Sequence, residues 1–566
     1  MLPLARAPLA LLRLTPEQGV KIVVGCAASL MVLWPVATLI HGSVSLEDAG
    51  GGMVYSLENY ADILGDRRIR EALLTTLAFT VGSTLVAAFF GIPLAWLTAR
   101  TDMPARRQLD RLYLVPFFIS SFQGAIAWKF LASPKIGILN GLLVGSLGLS
   151  APPLNIHSVG GMAFVEGLFL TPIMYLFANA TLTAMDPRLE ESSRVAGFGV
   201  VQTACRITLP LAAPGIVSAL LLIFVTAAGS LAVPLFLGAP VRIKTLSTQI
   251  FEILAFRPDY GKASAVSLLL VTVTLAGWLV QRRVTRRQRF VTITGKSYAP
   301  RVIELRHWRW LALAFCLAYL TLTLVLPIST LVLVSASRVW TGRFDPSLLT
   351  AANYVAVLAS DVVRRAIVNT LWIATVGATL AVAVGIVLAH TIHRSRTRLS
   401  GPLDFVVTMP IAFGGVVIGV GVLLTYIHTP LYGTAWLIVA VLLTRFNVFA
   451  LRPISSVLLA IDPELEESAR VAGASFFRML RDVLYPLLKP GIVSAWLIVF
   501  IIFMREFDIA SLLYTHQSVV MSVAIYIFSE LEPSPTVAAL ALIQAVIILV
   551  GTYAFMRMTG GKGVAF

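Results

Sequence analysis

The chain has 566 residues, 58% of them hydrophobic and 13% charged, with a mean hydropathy of +0.86. A soluble domain has an apolar share near one half, so this balance excludes a water-soluble globular protein and points to a chain that crosses a bilayer. The net charge of +16 would suit nucleic acid if the basic residues formed a soluble patch, but here they sort by membrane side.

Apolar runs long enough to cross about 30 Å of hydrocarbon at 1.5 Å per residue recur about twelve times. In chain order the expected spans are Val20–Gly42, Ala72–Ala99, Arg111–Leu131, Val159–Ala184, Pro214–Leu237 and Lys262–Gln281. A second series follows at Arg309–Ser335, Ala366–Ile392, Leu403–Ile427, Tyr432–Ala460, Pro490–Tyr514 and Thr536–Arg557. The stretch from Ile138 to Leu149 is too short to span and reads as interfacial or re-entrant. The first run follows Arg6, Arg13 and Lys21 but lacks a small-residue cleavage pattern, so it reads as a retained span. With the N-terminus cytoplasmic, about 28 of the 44 Lys and Arg fall on the cytoplasmic side, as the positive-inside bias expects. The C-terminus then also lies inside. The densest cluster, QRRVTRRQRF from Gln281, reads as a topology anchor beside anionic lipid, with no nucleic-acid partner.

The chain repeats itself. DPRLEESSRVAG from Asp186 returns as DPELEESARVAG from Asp462, and the gapless match through Ala219 and Ala495 holds 18 identities in 34 positions. Asn59-Tyr60 matches Asn353-Tyr354, and Pro116 matches Pro410, at an offset of 294 instead of 276. The first half therefore carries an 18-residue insertion between its third and fourth spans. The expected organisation is a first half over 1–281, a basic linker over 282–308 and a second half over 309–566, with charged loops at 186–213 and 462–489. Six spans return the chain to its starting side, so the fold class is an all-α membrane protein of about twelve transmembrane helices in two parallel six-helix repeats. A pseudo-twofold along the membrane normal would place a pathway at their interface.

Each charged loop predicts a short helix-turn-helix. Asp186 and Asp462 can cap free N–H groups, and Pro187 and Pro463 suit the first helical position. Glu190 and Glu191, repeated as Glu466 and Glu467, sit near the positive end of the helix dipole. The helix should end at Gly197 and Gly473, and a second helical stretch should end before Pro210 and Pro486. A lipid-surface helix would favour Lys and Arg with large apolar residues; this one pairs acids with Ser, Ala and Gly, which let another protein surface approach.

The pattern E-S-S-R-V-A-G with I-T-L-P, from Glu191 to Pro210, resembles the EAA loop of permeases in ATP-binding cassette (ABC) importers. The second copy runs E-S-A-R-V-A-G from Glu467 and closes V-L-Y-P; serines replace alanines and Tyr485 replaces a leucine. The resemblance implies a type I importer permease fold in which Glu190, Glu191, Arg194, Ala196 and Gly197, with Glu466, Glu467, Arg470, Ala472 and Gly473, dock two copies of an ABC ATPase subunit. ATP and Mg would then be bound by those partner subunits, no cofactor by this chain, and a periplasmic or lipid-anchored solute-binding protein would deliver the cargo.

The residues encode no catalytic set. Gly295-Lys296-Ser297 lacks the first glycine of a phosphate-binding loop, where Phe290 stands; His390 and His393 sit at a basic span end, and no metal cluster is expected. Charges inside spans are costly and usually face a cavity or a partner. The clearest set is MREFD from Met504. Arg505 and Asp508, at i and i+3, form either a self-neutralised pair or, with Glu506, the lining of a translocation path. Gly229 and Ser230 are the aligned positions in the first half, so such a lining would be asymmetric. Glu166, Lys129, Arg445 and Arg452 are weaker candidates, more often packing residues. The fused layout, Arg505-Glu506 followed by SLLY, and AVPLFLG after the fifth span are similar to ferric-iron permeases, which makes iron(III) the leading cargo. Relatives that move polyamine, thiamine, sulfate or phosphonate are alternatives. An ion-coupled secondary transporter is the competing class, and a membrane-embedded enzyme a third.

Overall fold

The computed structural model describes residues 16–47, 53–186, 188–256, 258–286, 303–394 and 400–558. Pro187, the glycine-lysine-serine stretch and most of the basic linker lie outside the described residues. Ten helices among them are long and apolar enough to cross a membrane, and two further bent pairs bring the count to twelve if each pair is one span.

The straight helices lie close to the expected runs: Val159–Ala184 has the expected bounds, and Ala72–Ala99 and Ala366–Ile392 lengthen into the 34-residue helices Arg67–Arg100 and Asp361–Arg394. The third and ninth spans differ. Arg106–Phe117 meets Ser121–Ala132 at 92°, and Ser400–Ala412 meets Gly415–Tyr426 at 108°. A proline near each break, Pro116 or Pro410, weakens the incoming helix by removing an N–H. Ser120 then starts a new helix: its hydroxyl accepts from the Gln123 backbone N–H, and the Gln123 side-chain Oε1 accepts from the Ser120 N–H. At the second break Gly414 occupies the same place.

The stretches before Pro210 and Pro486 also differ from expectation, because neither ends at its proline. Each runs on through a single π turn, Ala204–Thr208 or Leu480–Leu484, into the next span, giving the helices Ala204–Ala228 and Phe476–Arg505. A π turn shifts the hydrogen-bond register by one residue just before the proline, where the α ladder would lack a donor.

The duplication is visible bond by bond. Asn59 donates to the Ser43 and Ser45 carbonyls, and Asn353 to those of Ser335 and Ser337. Thr76 accepts from the Leu246 N–H at 2.9 Å, and Thr370 from the Met521 N–H at 2.8 Å. The halves interlock: the first helix, Pro16–Ser43, packs on the second half, where Thr38 meets Thr425 at 2.7 Å, while Tyr319 from Trp308–Ser335 reaches the Leu168 carbonyl of the first half. The unit of packing therefore crosses the boundary drawn in sequence. The insertion forms a 10-residue helix, Ile138–Leu147, held by buried Asn140 and joined to the second half through Trp340 Nε1 and the Ile136 carbonyl.

Candidate functional site

Two features carry the functional geometry: a pair of short charged helices at one face, and a cavity between the halves.

The charged helices are Arg188–Val195 and Glu464–Val471. Asp186 accepts the Arg188 N–H at 2.9 Å and Asp462 the Glu464 N–H at 3.0 Å, satisfying donors that a helix start leaves free. Each helix ends where expected. Gly197 and Gly473 adopt φ of +87° and +79°, and the next amides, Phe198 and Ala474, close back on the Ser193 and Ala469 carbonyls.

The adjacent glutamates part company. Glu190 and Glu466 turn inward and are buried, whereas Glu191 and Glu467 are exposed. Glu190 accepts from Thr208 at 2.7 Å and lies 3.6 Å from Arg100 Nε; Glu466 lies 3.0 Å from His390 Nε2 and 2.9 Å from Arg394 Nε. Arg100 also donates to the Leu182 and Met185 carbonyls, and Arg394 to those of Leu458 and Ile461. One arginine thus clasps the end of the fourth or tenth span, where unpaired carbonyls gather, to the charged helix beyond it. Burial acts most strongly on Glu466 and raises its pKa, but the His390 bond and the positive charge of His390, Arg394 and Arg470 together hold the carboxyl below its ordinary value.

Outward, beside the exposed Glu191 and Glu467, the helices present mainly small and apolar residues. Ala196, Gly197, Ala472, Gly473 and Arg470 are exposed, and nothing is described of the Arg194 side chain. Val195 and Val471 are each 90% exposed, with Leu189 and Leu465 beside them at 47% each. Sequence reading missed these four; the available signal was an apolar residue kept at matched positions in two otherwise polar helices.

The cavity offers about 300 Å³ to water-sized occupants. Arg505, Glu506, Asp508 and Ser230 all line it, as do Glu166 and Arg445, two of the positions given less weight in the sequence. The proposed Arg505–Asp508 pair is absent among the described residues. The helix stops at Arg505, so the i, i+3 face does not exist. Arg505 instead donates to the Phe117 carbonyl at the first bend and lies 4.3 Å from the Phe117 ring centre. Asp508 accepts the Leu231 N–H at 3.3 Å. Glu506 accepts the Ile509 and Ala510 amides and lies 3.8 Å from Arg445. Gly229 does not line the cavity; it meets the second bend, where a Cβ on it would stand 2.4 Å from the Gly414 Cα. Lys129 and Arg452 also lie elsewhere, the latter 3.1 Å from Asp404. From the cavity wall an aromatic cluster drawn from both halves leads away from the charged helices: Phe122 stacks on Phe507 at 5.1 Å and meets Phe236 at 4.8 Å, and Tyr526 lies 6.0 Å from Phe236.

Ten spanning helices and two bent pairs among the described residues, in two interlocked repeats, with a charged helix per repeat and a cavity between the halves that carries five charged side chains, define a membrane permease of the importer type. The profile of the family described as "Binding-protein-dependent transport system inner membrane component" matches residues 84–290 and 381–558, well over half of the chain, and this protein belongs to that family. It is 23% identical over 509 residues to the ferric transport system permease protein FbpB of Actinobacillus pleuropneumoniae, covering 87% of this chain and 72% of that one. An ABC transporter permease protein of Sinorhizobium fredii, y4fN, is 24% identical over 544 residues, 92% of this chain and 93% of its own. The spermidine/putrescine transport system permease protein PotB of Escherichia coli is 28% identical over 239 residues, 42% of this chain and 86% of its own. The chain is thus a multi-pass inner-membrane permease with its two permease halves fused.

Proposed function

We propose that this permease imports a small solute using ATP hydrolysed by two copies of a partner ATPase subunit, one seated on each charged helix. ATP and Mg would bind the ATPases and not this chain. The observation that carries the reading is the paired clasp. Arg100–Glu190 and Arg394–Glu466 each tie an exposed helix to two long spans, so a load applied at Val195 or Val471 is passed to the bundle. A docked ATPase can drive transport only if its contacts differ between two states of the bundle. The charged face, with both termini, is placed on the cytoplasmic side by the basic bias of the sequence, and a solute-binding protein delivers cargo to the other side.

Iron(III) is the leading cargo, supported by ferric permeases that align over most of the chain; polyamine, named for the partial relative, is the main alternative, ahead of thiamine, sulfate and phosphonate. In membrane vesicles holding all partners, ATP-dependent uptake should persist when ion gradients are collapsed. Uptake that stops with the gradient while ATP remains would indicate an ion-coupled transporter. Reversing Glu191 and Glu467 together to Lys should leave the protein inserted and abolish ATPase capture; normal uptake in that variant would defeat the docking role.

A further inference from the structure

The walls of the cavity carry three carboxylates, Glu166, Glu506 and Asp508, against two guanidinium groups, Arg445 and Arg505. Four of these five already serve the protein. Arg505 holds the Phe117 carbonyl, Glu506 caps two amides near Arg445, and Asp508 takes the Leu231 amide. Glu166 is the one left over. It is 2% exposed, and its Oε2 has no hydrogen-bond partner among the described residues, although the Ser121 and Ser230 hydroxyls stand beside it on the same wall. Arg505 reaches Glu166 only through space, its own donor being turned to the Phe117 carbonyl. A buried carboxylate with an unpaired oxygen is expensive, and a site that leaves one open is built to have a donor supplied from outside.

The supply is restricted in kind. Among the described residues no three His, Cys, Asp or Glu side chains gather closely enough to hold a metal ion, so the wall offers no ready-made ligand set for a bare cation. Phe169 adds an aromatic ring to the wall, where aromatic rings attract positive charge without replacing its hydrogen-bonded shell; Phe117 and Phe446 already face Arg505 and Arg445, and Phe122 stacks on Phe507.

We propose that Glu166 forms a site for a cation that presents hydrogen-bond donors at its surface, either a protonated amine or a metal cation wearing its water or ligand shell, bound through those donors and not by direct metal ligation. This rests on the cavity being the cargo route of an importer, and it makes Glu166 the residue at which cargo charge is sensed.

The test is calorimetric titration of the complete chain in lipid nanodiscs, without ATPase or nucleotide. Three probes are used: hexaamminecobalt(III), whose inert ammine shell allows contact only through N–H donors; putrescine; and the uncharged 1,4-butanediol. Either cation should bind, and the diol should not. Glu166→Gln should weaken cation binding roughly tenfold or more, the loss of one charge-assisted hydrogen bond, with Glu166→Asp recovering part of it. Binding of putrescine alone identifies an amine, and binding of the cobalt complex alone identifies a shelled metal ion. The proposal is overturned if neither cation binds, if the diol binds as well as putrescine, or if Glu166→Gln, shown to be folded by its thermal unfolding, binds like the wild type. Because no ATPase is present, such a failure leaves the import reading standing, while normal uptake in the Glu191/Glu467 variant would defeat the docking role without touching this site.

Discussion

The two halves agree at the face that carries the charged helices and disagree at the cavity. At the face, Arg100 and Arg394 occupy equivalent positions, clasp equivalent glutamates and cap equivalent carbonyls. The disagreement begins with Arg505, which reaches across to the first bend at Phe117; its first-half counterpart is Gly229, which packs bare backbone against the second bend at Gly414. Glu506 corresponds to Ser230. A fused chain can let its halves diverge, and here the cavity is one place where they do.

This contrast can be broken most severely at the glycine crossing. Gly414→Val should abolish folding or transport, because a Cβ there would lie 2.7 Å from the Gly229 Cα, and backbone cannot move aside as a side-chain tip can. Expression in membranes followed by detergent-extracted monodispersity reads this out. Removing the clasp arginines comes next. Arg100→Ala leaves Glu190 buried with only Thr208, at a cost on the order of 3–5 kcal/mol if the helix stays docked, so the helix should peel away instead. Arg394→Ala should be milder, since His390 still faces Glu466; its first-half equivalent is Trp96, which cannot replace it. Amide exchange over 188–195 and 464–471 in the two variants measures the difference, and equal exchange would show that the histidine adds nothing.

How much of this could be read from sequence depends on distance along the chain. Long apolar runs average over many residues, so most helices emerged nearly in place, while the expected Pro214–Leu237 and Pro490–Tyr514 start and end earlier, as Ala204–Ala228 and Phe476–Arg505; the repeat at Asp186 and Asp462 was evident from identity alone. The bends at Ser120 and Gly414 span only three and two residues and vanish within a hydropathy window. The inward turn of Glu190 against the outward turn of Glu191 depends on a 100° step around a helix whose partner, Arg100, lies 90 residues upstream. Charges in the MREFD segment were conspicuous against their apolar surroundings, but Arg445, which approaches Glu506 from another span, and Glu166, which has no nearby charge in sequence, could be placed only by the fold.

Two smaller effects sharpen the agreement between the sockets. Val195→Asp or Val471→Asp touches only exposed side chains, so stability should change by no more than about 0.5 kcal/mol while uptake falls by roughly half or more for either variant. Glu466 predicts a pH effect. Its folded pKa is depressed, so its contribution to stability is complete above the unfolded value of about 4.3 and is lost as pH falls through the lower folded value. Amide exchange over 464–471 should therefore start to rise as pH falls below about 4.3, and Arg394→Ala should leave less of this stability to lose.

The central claim is that each half carries its own ATPase socket. Native mass measurement of the assembled complex tests it most directly: two ATPase copies on the wild type, one on either Val195→Asp or Val471→Asp, and none on the double variant. Two copies retained on all four proteins would contradict the account.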